Sequence, residues 1–285
     1  MMKNPSSNDT ALQAYEPSPA GEVFSLFPDW AALLALLPEL KTAATIYRGR
    51  HAMFCRQGAF QKLTLSHDSA YTTEGIRGES LNLAHWSEAW WYEEPRQEEM
   101  IPCLEIADDQ GKGLLKLCYP DRETGLRDRA VIEPLFEKEA TAWDLIHLRK
   151  SNQMSCFQSH RLRNAAPFRE PLRAILHEAF MRQVELGIAL SHHALTLWEA
   201  LPPSAVNTAC CWLATGRQGL FLHMEPAGYH YAEVCVREGR SIVFFYDATG
   251  QRALTLIEPD GVPFQSIFDL REILPTLNLG QIDTP

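Results

Sequence analysis

CLEIADDQGKGLLKLCYP, residues 103–120, lies over IVFFYDATGQRALTLIEP, residues 242–259, without a gap. Asp108 matches Asp247, Gly111 matches Gly250, Leu115 and Leu117 match Leu254 and Leu256, and Pro120 matches Pro259. DDQG, from Asp108, is a hairpin-turn signal between two strand-like runs. Two further pairs accompany this one. HWSEAWWYEE, from His85, resembles HYAEVCVREG, from His230, and GRHAMF (49–54) lies over GRQGLF (216–221). The three pairs keep one order in both halves, which predicts a duplicated unit. The expected fold is α+β: a tandem duplication of two antiparallel-sheet units with flanking helices and a ligand cleft between the halves.

Outward from the hairpins, the chain divides into four parts. Residues 1–20, rich in Ser, Asn and Pro, are predicted to be a disordered tail. Residues 21–150 form the first repeat, 151–169 a linker at the cleft rim, and 170–285 the second repeat. Asp29 is placed to cap a helix from Trp30 to about Leu37. Strands are expected from Ala44 to Tyr119 and from Asn207 to Ile257. Residues 134–150 read as a helix with Pro134 near its first turn. A second helix spans about Glu170–Glu185 and ends at Gly187. Ser191 caps a short helix through Trp198, stopped by Pro202 and Pro203. SIFDLREILPTL closes the chain as a helix.

The 285 residues carry a net charge of −10, with 46% apolar and 22% charged residues, as in an ordinary folded domain. No general basic footprint exists, so nucleic acid is excluded as the expected partner. The longest apolar run, WAALLALLPEL, is about ten residues and is broken by Pro38, too short for membrane insertion. MMKNPSSNDT has no signal-peptide core, and a cytoplasmic location is expected. The seven cysteines include no CxxC, and buried reduced thiols are expected. G-x-S-x-G, H-E-x-x-H and a phosphate-binding loop are all missing, which argues against common hydrolases. Asp108–Asp109 reads as a turn rather than an acid pair.

LRAILHEAF (172–180) puts His177 at the edge of the stripe Leu172, Ile175, Leu176, Ala179 and Phe180. An imidazole there is a core or surface histidine, or a metal ligand held in a fixed direction. Arg173 lies one turn before it on the same side. Arg161, Arg163 and Arg169 make a local reversal of sign in an acidic chain. His85 and His230 sit at matching repeat positions and read as structural. Trp86, Trp90 and Trp91 read as core.

The residues resemble the HemS/ChuS-type cytoplasmic haem-utilisation family of Gram-negative bacteria. IYRGRHAMFCRQGAF, AHWSEAWWYEE, CLEIADDQGKGLLKL and LRAILHEAFMRQVELGIA are similar to successive family segments, and together the resemblance covers about residues 21–275. It implies a duplicated fold with haem between the halves, and His177 as axial ligand to the iron of haem b. It implies an intracellular protein that accepts imported haem and stores, delivers or helps degrade it. Its partners would be a haem importer, a haem oxygenase or a reductase. The resemblance departs at two arginines. Ser80 or Asn82 stands where the family places an arginine on the open haem face, with Arg77 nearby as a substitute. SHHA (191–194) replaces another basic contact, leaving His192 and His193 to cover it or to offer a second ligand. His51 is a further distal candidate. Loss of both arginines leans toward binding and delivery. The alternative is a divergent member that uses the same fold for another small ligand or a protein partner.

Overall fold

The structure, a computed structural model, describes residues 22–26, 29–74, 77–96, 99–140, 166–209, 212–217 and 219–279. The predicted N-terminal tail, Arg161, Arg163, Cys156, Cys210 and Cys211 lie outside the described residues. The first half carries β1 (Val23–Leu26), α1 (Trp30–Leu36), β2 (Ala44–Arg48), β3 (Ala52–Gln57), β4 (Thr64–Ser66), β5 (Ser69–Glu74) and β6 (Arg77–Asn82). It continues with β7 (Trp86–Arg96), β8 (Glu99–Asp108), β9 (Gly113–Cys118), α2 (Arg122–Ile132) and β10 (Phe136–Ala140). The second half carries α3 (Arg169–Arg182), β11 (Leu186–His192), β12 (Leu195–Leu201), β13 (Asn207–Ala209), β14 (Trp212–Arg217) and β15 (Leu220–Met224). It ends with β16 (Tyr231–Arg237), β17 (Arg240–Tyr246), β18 (Arg252–Ile257) and α4 (Gln265–Leu279).

A 10-stranded sheet runs β10-β1-β7-β8-β9-β2-β3-β15-β14-β13, and an 8-stranded sheet runs β16-β17-β18-β11-β12-β6-β5-β4. With β10 and β1 set aside, the two orders superpose strand for strand. The fold is therefore the duplicated α+β unit. The sheets nevertheless do not coincide with the halves of the chain. Strands β4 to β6 of the first half complete the second sheet, and β13 to β15 of the second half complete the first.

That exchange corrects one repeat pair. GRHAMF forms the β2–β3 hairpin and GRQGLF the β14–β15 hairpin, which are not equivalent in the duplicated order. They are instead neighbours, with Phe54 opposite Leu222 across β3 and β15. A glycine-arginine tip followed by an apolar strand looks alike in any hairpin.

The leading pair holds in detail. Asp108 Oδ1 accepts from Gln110 N (2.9 Å) and Lys112 N (2.7 Å); Asp247 Oδ1 accepts from Thr249 N (2.8 Å) and Gln251 N (3.0 Å). A short carboxylate can close such a turn on its own backbone. Gly111 (φ 73°) and Gly250 (φ 77°) take the left-handed conformation each turn needs.

The facing sheet surfaces bury one continuous core, including Tyr47, Phe54, Leu81, Leu104, Leu195 and Leu197. A charged group reaches into its edge. Arg56, on β3, donates to Tyr47 Oη (3.3 Å), to Glu79 Oε1 on β6 (3.5 Å) and to Glu199 on β12. Burial raises the Glu79 carboxyl, with Arg56 opposing. On the other side of the first sheet, Arg48 and Tyr92 both donate to Glu105. Burial alone would raise the Glu105 carboxyl, but Arg48 and Lys116 outweigh it and hold it low.

Several local expectations change. Residues 133–135 form a 3-10 turn and Phe136–Ala140 a strand paired with β1, so the predicted 134–150 helix does not start at Pro134. Phe136 is held there by stacking on Phe24, 4.6 Å between centroids. Residues 141–150 lie outside the described residues; the nearest described helix before them is α2, capped by Asp121, whose Oδ1 accepts from Thr124 N at 2.7 Å. Residues 191–198 are a hairpin rather than a helix, because Leu195 and Leu197 alternate into the core. Gly187 is a strand residue; α3 ends earlier, at Gln183 with φ 56°. A Cβ at Gly187 would lie 3.0 Å from Ile257 Cβ. Asp29 does cap α1, accepting from Ala32 N at 3.0 Å. Cys103 and Cys118 are buried as expected, whereas Cys235 is exposed.

Arg56→Met should cost about 3–5 kcal/mol in urea unfolding, because two buried carboxylates lose their cation. Adding Glu79→Gln should restore part of it. For Glu105, the folded carboxyl titrates below the unfolded value of 4.5. Its stabilising contribution is thus complete above pH 4.5 and lost as pH falls through the folded value. Glu105→Gln should flatten the decline of the urea midpoint in that acid window.

Candidate ligand site

Helix α3 buries Leu172, Ile175, Leu176 and Ala179. Its orientation is fixed at its C-terminal end. Glu178 accepts from Gln265 N (3.0 Å), Ser266 N (2.8 Å) and Ser266 Oγ (2.6 Å), capping the start of α4. Arg182 pairs with Glu178 at 2.8 Å and donates to Pro263 O at 2.7 Å. Burial raises the Glu178 carboxyl, but the Ser266 hydroxyl and the α4 backbone N–H groups outweigh it and hold it low.

This clamp leaves the opposite side of α3 open. His177 and Arg173 are both exposed, so among the described residues the imidazole faces solvent and not the expected cleft between the halves, whose residues pack into one core. Arg173 pairs with Glu170 at 2.6 Å. The His177 ring lies 6.4 Å from that of Phe180, and Met181, one turn on, is 65% exposed. One helix face thus presents an imidazole, a guanidinium and soft apolar groups.

The other predicted residues gather elsewhere. Asn82, at the end of β6, donates its backbone N–H to Ala194 O (3.0 Å) and its amide to His193 O (3.5 Å). The His192 side chain is only 4% exposed, with Nε2 3.4 Å from Asp108 Oδ2. Burial, helped by His193 and Arg50, pushes its imidazolium down to about 3, so the ring is neutral. Arg77 opens β6 with its backbone paired to Glu74. Among the described residues, no hydrogen bond or ion pair joins His177 or Arg173 to the Asn82–His192 group. An open depression of about 670 Å³, lined by Glu99, Met100, Asp121, Arg122, Glu123 and Leu126, contains none of the predicted residues. Trp86, Trp90 and Trp91 are core residues, as expected.

No protein-family model and no curated protein matches the chain. Solved structures do. Holo-PhuS, a haem-binding protein from Pseudomonas aeruginosa, aligns with TM-score 0.65 and 15% identity over 88% of this chain and 86% of its own. ChuS, the haem-degrading enzyme of Escherichia coli O157:H7, aligns with TM-score 0.64 and 14% identity over 92% and 87%. The chain has the HemS/ChuS-type fold. At this identity the likeness is one of architecture. Among the described residues, no helix is long and apolar enough to cross a membrane.

Within the HemS/ChuS-type frame, the two turn aspartates meet different partners. Glu225 N donates to His51 O (2.8 Å) as Asn82 N donates to Ala194 O (3.0 Å), so Arg50 and His193 hold equivalent positions in the two repeats. Arg50 Nη1 reaches Asp247 Oδ2 at 3.0 Å. His193 Nε2 stands 3.6 Å from Asp108 Oδ2, and Asp109 meets both His193 (3.2 Å) and His85 (3.0 Å). His85 is therefore part of a polar cluster that sequence inspection of DDQG did not reveal. Only the hairpin facing that turn completes it.

Asp108→Ala and Asp247→Ala should each lose about 2 kcal/mol, since each removes a backbone-satisfying acceptor. Asn at either site keeps Oδ1. In a chelator, Asp247→Asn should then cost more than Asp108→Asn, because only Asp247 is paired with a guanidinium. Urea midpoints of the four variants check this.

Proposed function

We propose that this chain binds haem on the open face of α3, with His177 as axial ligand to the iron and Arg173 as a propionate contact. The observation that carries the reading is an exposed imidazole without a hydrogen-bond partner among the described residues, on a helix whose pose is fixed. A ligand imidazole needs a free ring nitrogen, room for a flat macrocycle, and a rigid base. Phe180 and Met181 add apolar surface suited to a porphyrin. Arg173 matches a carboxylate, and its present partner Glu170 is an exposed residue it can release at little cost. The solved neighbours of this fold include a haem-binding protein and a haem-degrading enzyme.

The opposite haem face fits less well. Asn82 is engaged with His193 O, and the His192 side chain is packed against Asp108, so neither is free to replace the family arginines. This favours binding and delivery over degradation, with imported haem as cargo in the cytoplasm. An importer and a haem oxygenase or reductase would be the partners before and after it. The same two engaged residues favour the second reading, a divergent member that takes a different small ligand or a protein on the same face.

Hemin titration of the purified chain should give a shifted Soret band saturating near one equivalent. His177→Ala should abolish the shift, and Arg173→Ala should weaken binding about tenfold, in keeping with loss of one charged contact. A wild-type chain without a Soret shift would leave the second reading standing. A shift unchanged in His177→Ala would place the ligand elsewhere.

A further inference from the structure

We propose that His85, Asp108, Asp109 and His193 form a binding site for a divalent first-row transition metal ion of the zinc type, separate from α3. Two antiparallel hairpin tips and the crossing between β6 and β7 bring these residues together. His193 Nε2 is the centre. It lies 3.2 Å from Asp109 Oδ1 and 3.6 Å from Asp108 Oδ2, while His85 Nδ1 lies 3.0 Å from Asp109 Oδ2. The ligand atoms of His85, Asp109 and His193 all lie within 4.8 Å of one another.

The spacing suits shared coordination. Zinc bonds to nitrogen and oxygen of about 2.0–2.2 Å put the donors of a tetrahedral site roughly 3.3 Å apart. Two imidazoles and two carboxylates are a donor set for zinc and its neighbours rather than for calcium or magnesium.

Asp108 gives the independent sign of a missing cation. Its side chain is 0% exposed. Oδ1 is consumed by the turn, yet buried Oδ2 accepts no hydrogen bond. A buried carboxylate oxygen without a partner carries a large desolvation cost. In the other repeat the same atom, Asp247 Oδ2, is satisfied by Arg50. The position equivalent to Arg50 is His193, which is too short to bring a fixed charge. Where one half uses a guanidinium, the other has imidazoles and a second acid, the groups that hold a metal ion. Arg50 is paired with Asp247, and what remains of its charge is felt at His192 beside the site.

His192 plays a different part. Its Nδ1 accepts from Ala194 N at 3.3 Å, which leaves a proton on Nε2; that nitrogen lies 3.4 Å from Asp108 Oδ2 but makes no hydrogen bond to it. Its ring lines that carboxylate without satisfying the free oxygen.

The test uses the full chain, tag-free and stripped with a chelator. Calorimetry with zinc chloride should show one equivalent bound, and cobalt(II) should give the d–d absorption of a nitrogen–oxygen site. His193→Ala and Asp108→Asn should each weaken binding by about 100-fold or more. Asp108→Asn retains the turn acceptor, so its unchanged urea midpoint would separate lost metal from lost fold. His177→Ala should leave zinc affinity unaltered, which keeps this result independent of haem binding. Failure of the wild type to take up stoichiometric zinc would overturn the site. So would uptake equal in His193→Ala and Asp108→Asn.

Discussion

Neither sheet can be completed by one half of the chain. β15 lies beside β3, and β6 beside β12, so each sheet ends in a three-stranded wing borrowed from the other repeat. Removal of the wing would expose β3 or β12 as a bare hydrogen-bonding edge. It would also strip Arg56 of its partner on β6, because Glu79 belongs to the wing while Glu199 belongs to the receiving sheet. The half-buried arginine therefore joins three elements: its own strand, the opposing sheet and the strand lent to that sheet. An isolated repeat would hold that guanidinium in an apolar interior with part of its counter-charge missing.

Duplication with exchange explains why corresponding atoms meet different partners. Both β-hairpin turns are closed by an aspartate that spends one oxygen on its own backbone and sends the other toward a hairpin of the opposite sheet. The closing function constrains both copies equally. The outward oxygen does not contribute to the turn, so its partner was free to diverge. In one copy it became Arg50, which ties the sheets together directly. In the other it became a histidine pair, with a second aspartate beside it.

Local chemistry was legible where it acts within a few residues. Asp29 as a helix cap, DDQG as a turn and the apolar stripe of α3 each depend on neighbours three or four positions away. They appear in the structure as expected. The failures lie where tertiary contacts overrule local preference. SHHALTLW can begin a helix by capping chemistry, but Leu195 and Leu197 alternate with Thr196 and Trp198, and the core selects the strand. Gly187 looks like a helix stop; its role is to admit Ile257 from the adjacent strand. Helix α2 is mostly polar, RETGLRDRAVI, and shows little apolar stripe, although Asp121 and Thr124 carry its cap. The strand exchange has no local signature at all, and it misdirected the GRHAMF pairing. Of the candidate site, the imidazole at 177 was visible through resemblance, whereas the Asp108 cluster required knowing which hairpins touch.

The position of α3 also bears on why one repeat would carry a ligand and the other not. Its counterpart, α1, is a helix of 7 residues that buries Leu33 and Leu34 and sets Trp30 edge-on against Trp86, 5.3 Å away. Little of α1 remains to face anything else. Helix α3 has 14 residues and is held by one end, through Glu178 and Arg182, against the start of α4. A longer helix clamped on one side keeps a rigid, exposed face on the other. Rigidity without burial is what a side chain needs in order to offer a lone pair in a fixed direction while admitting a large flat ligand. The second repeat meets that requirement through its capping contacts, and the first has used the same element to close its core.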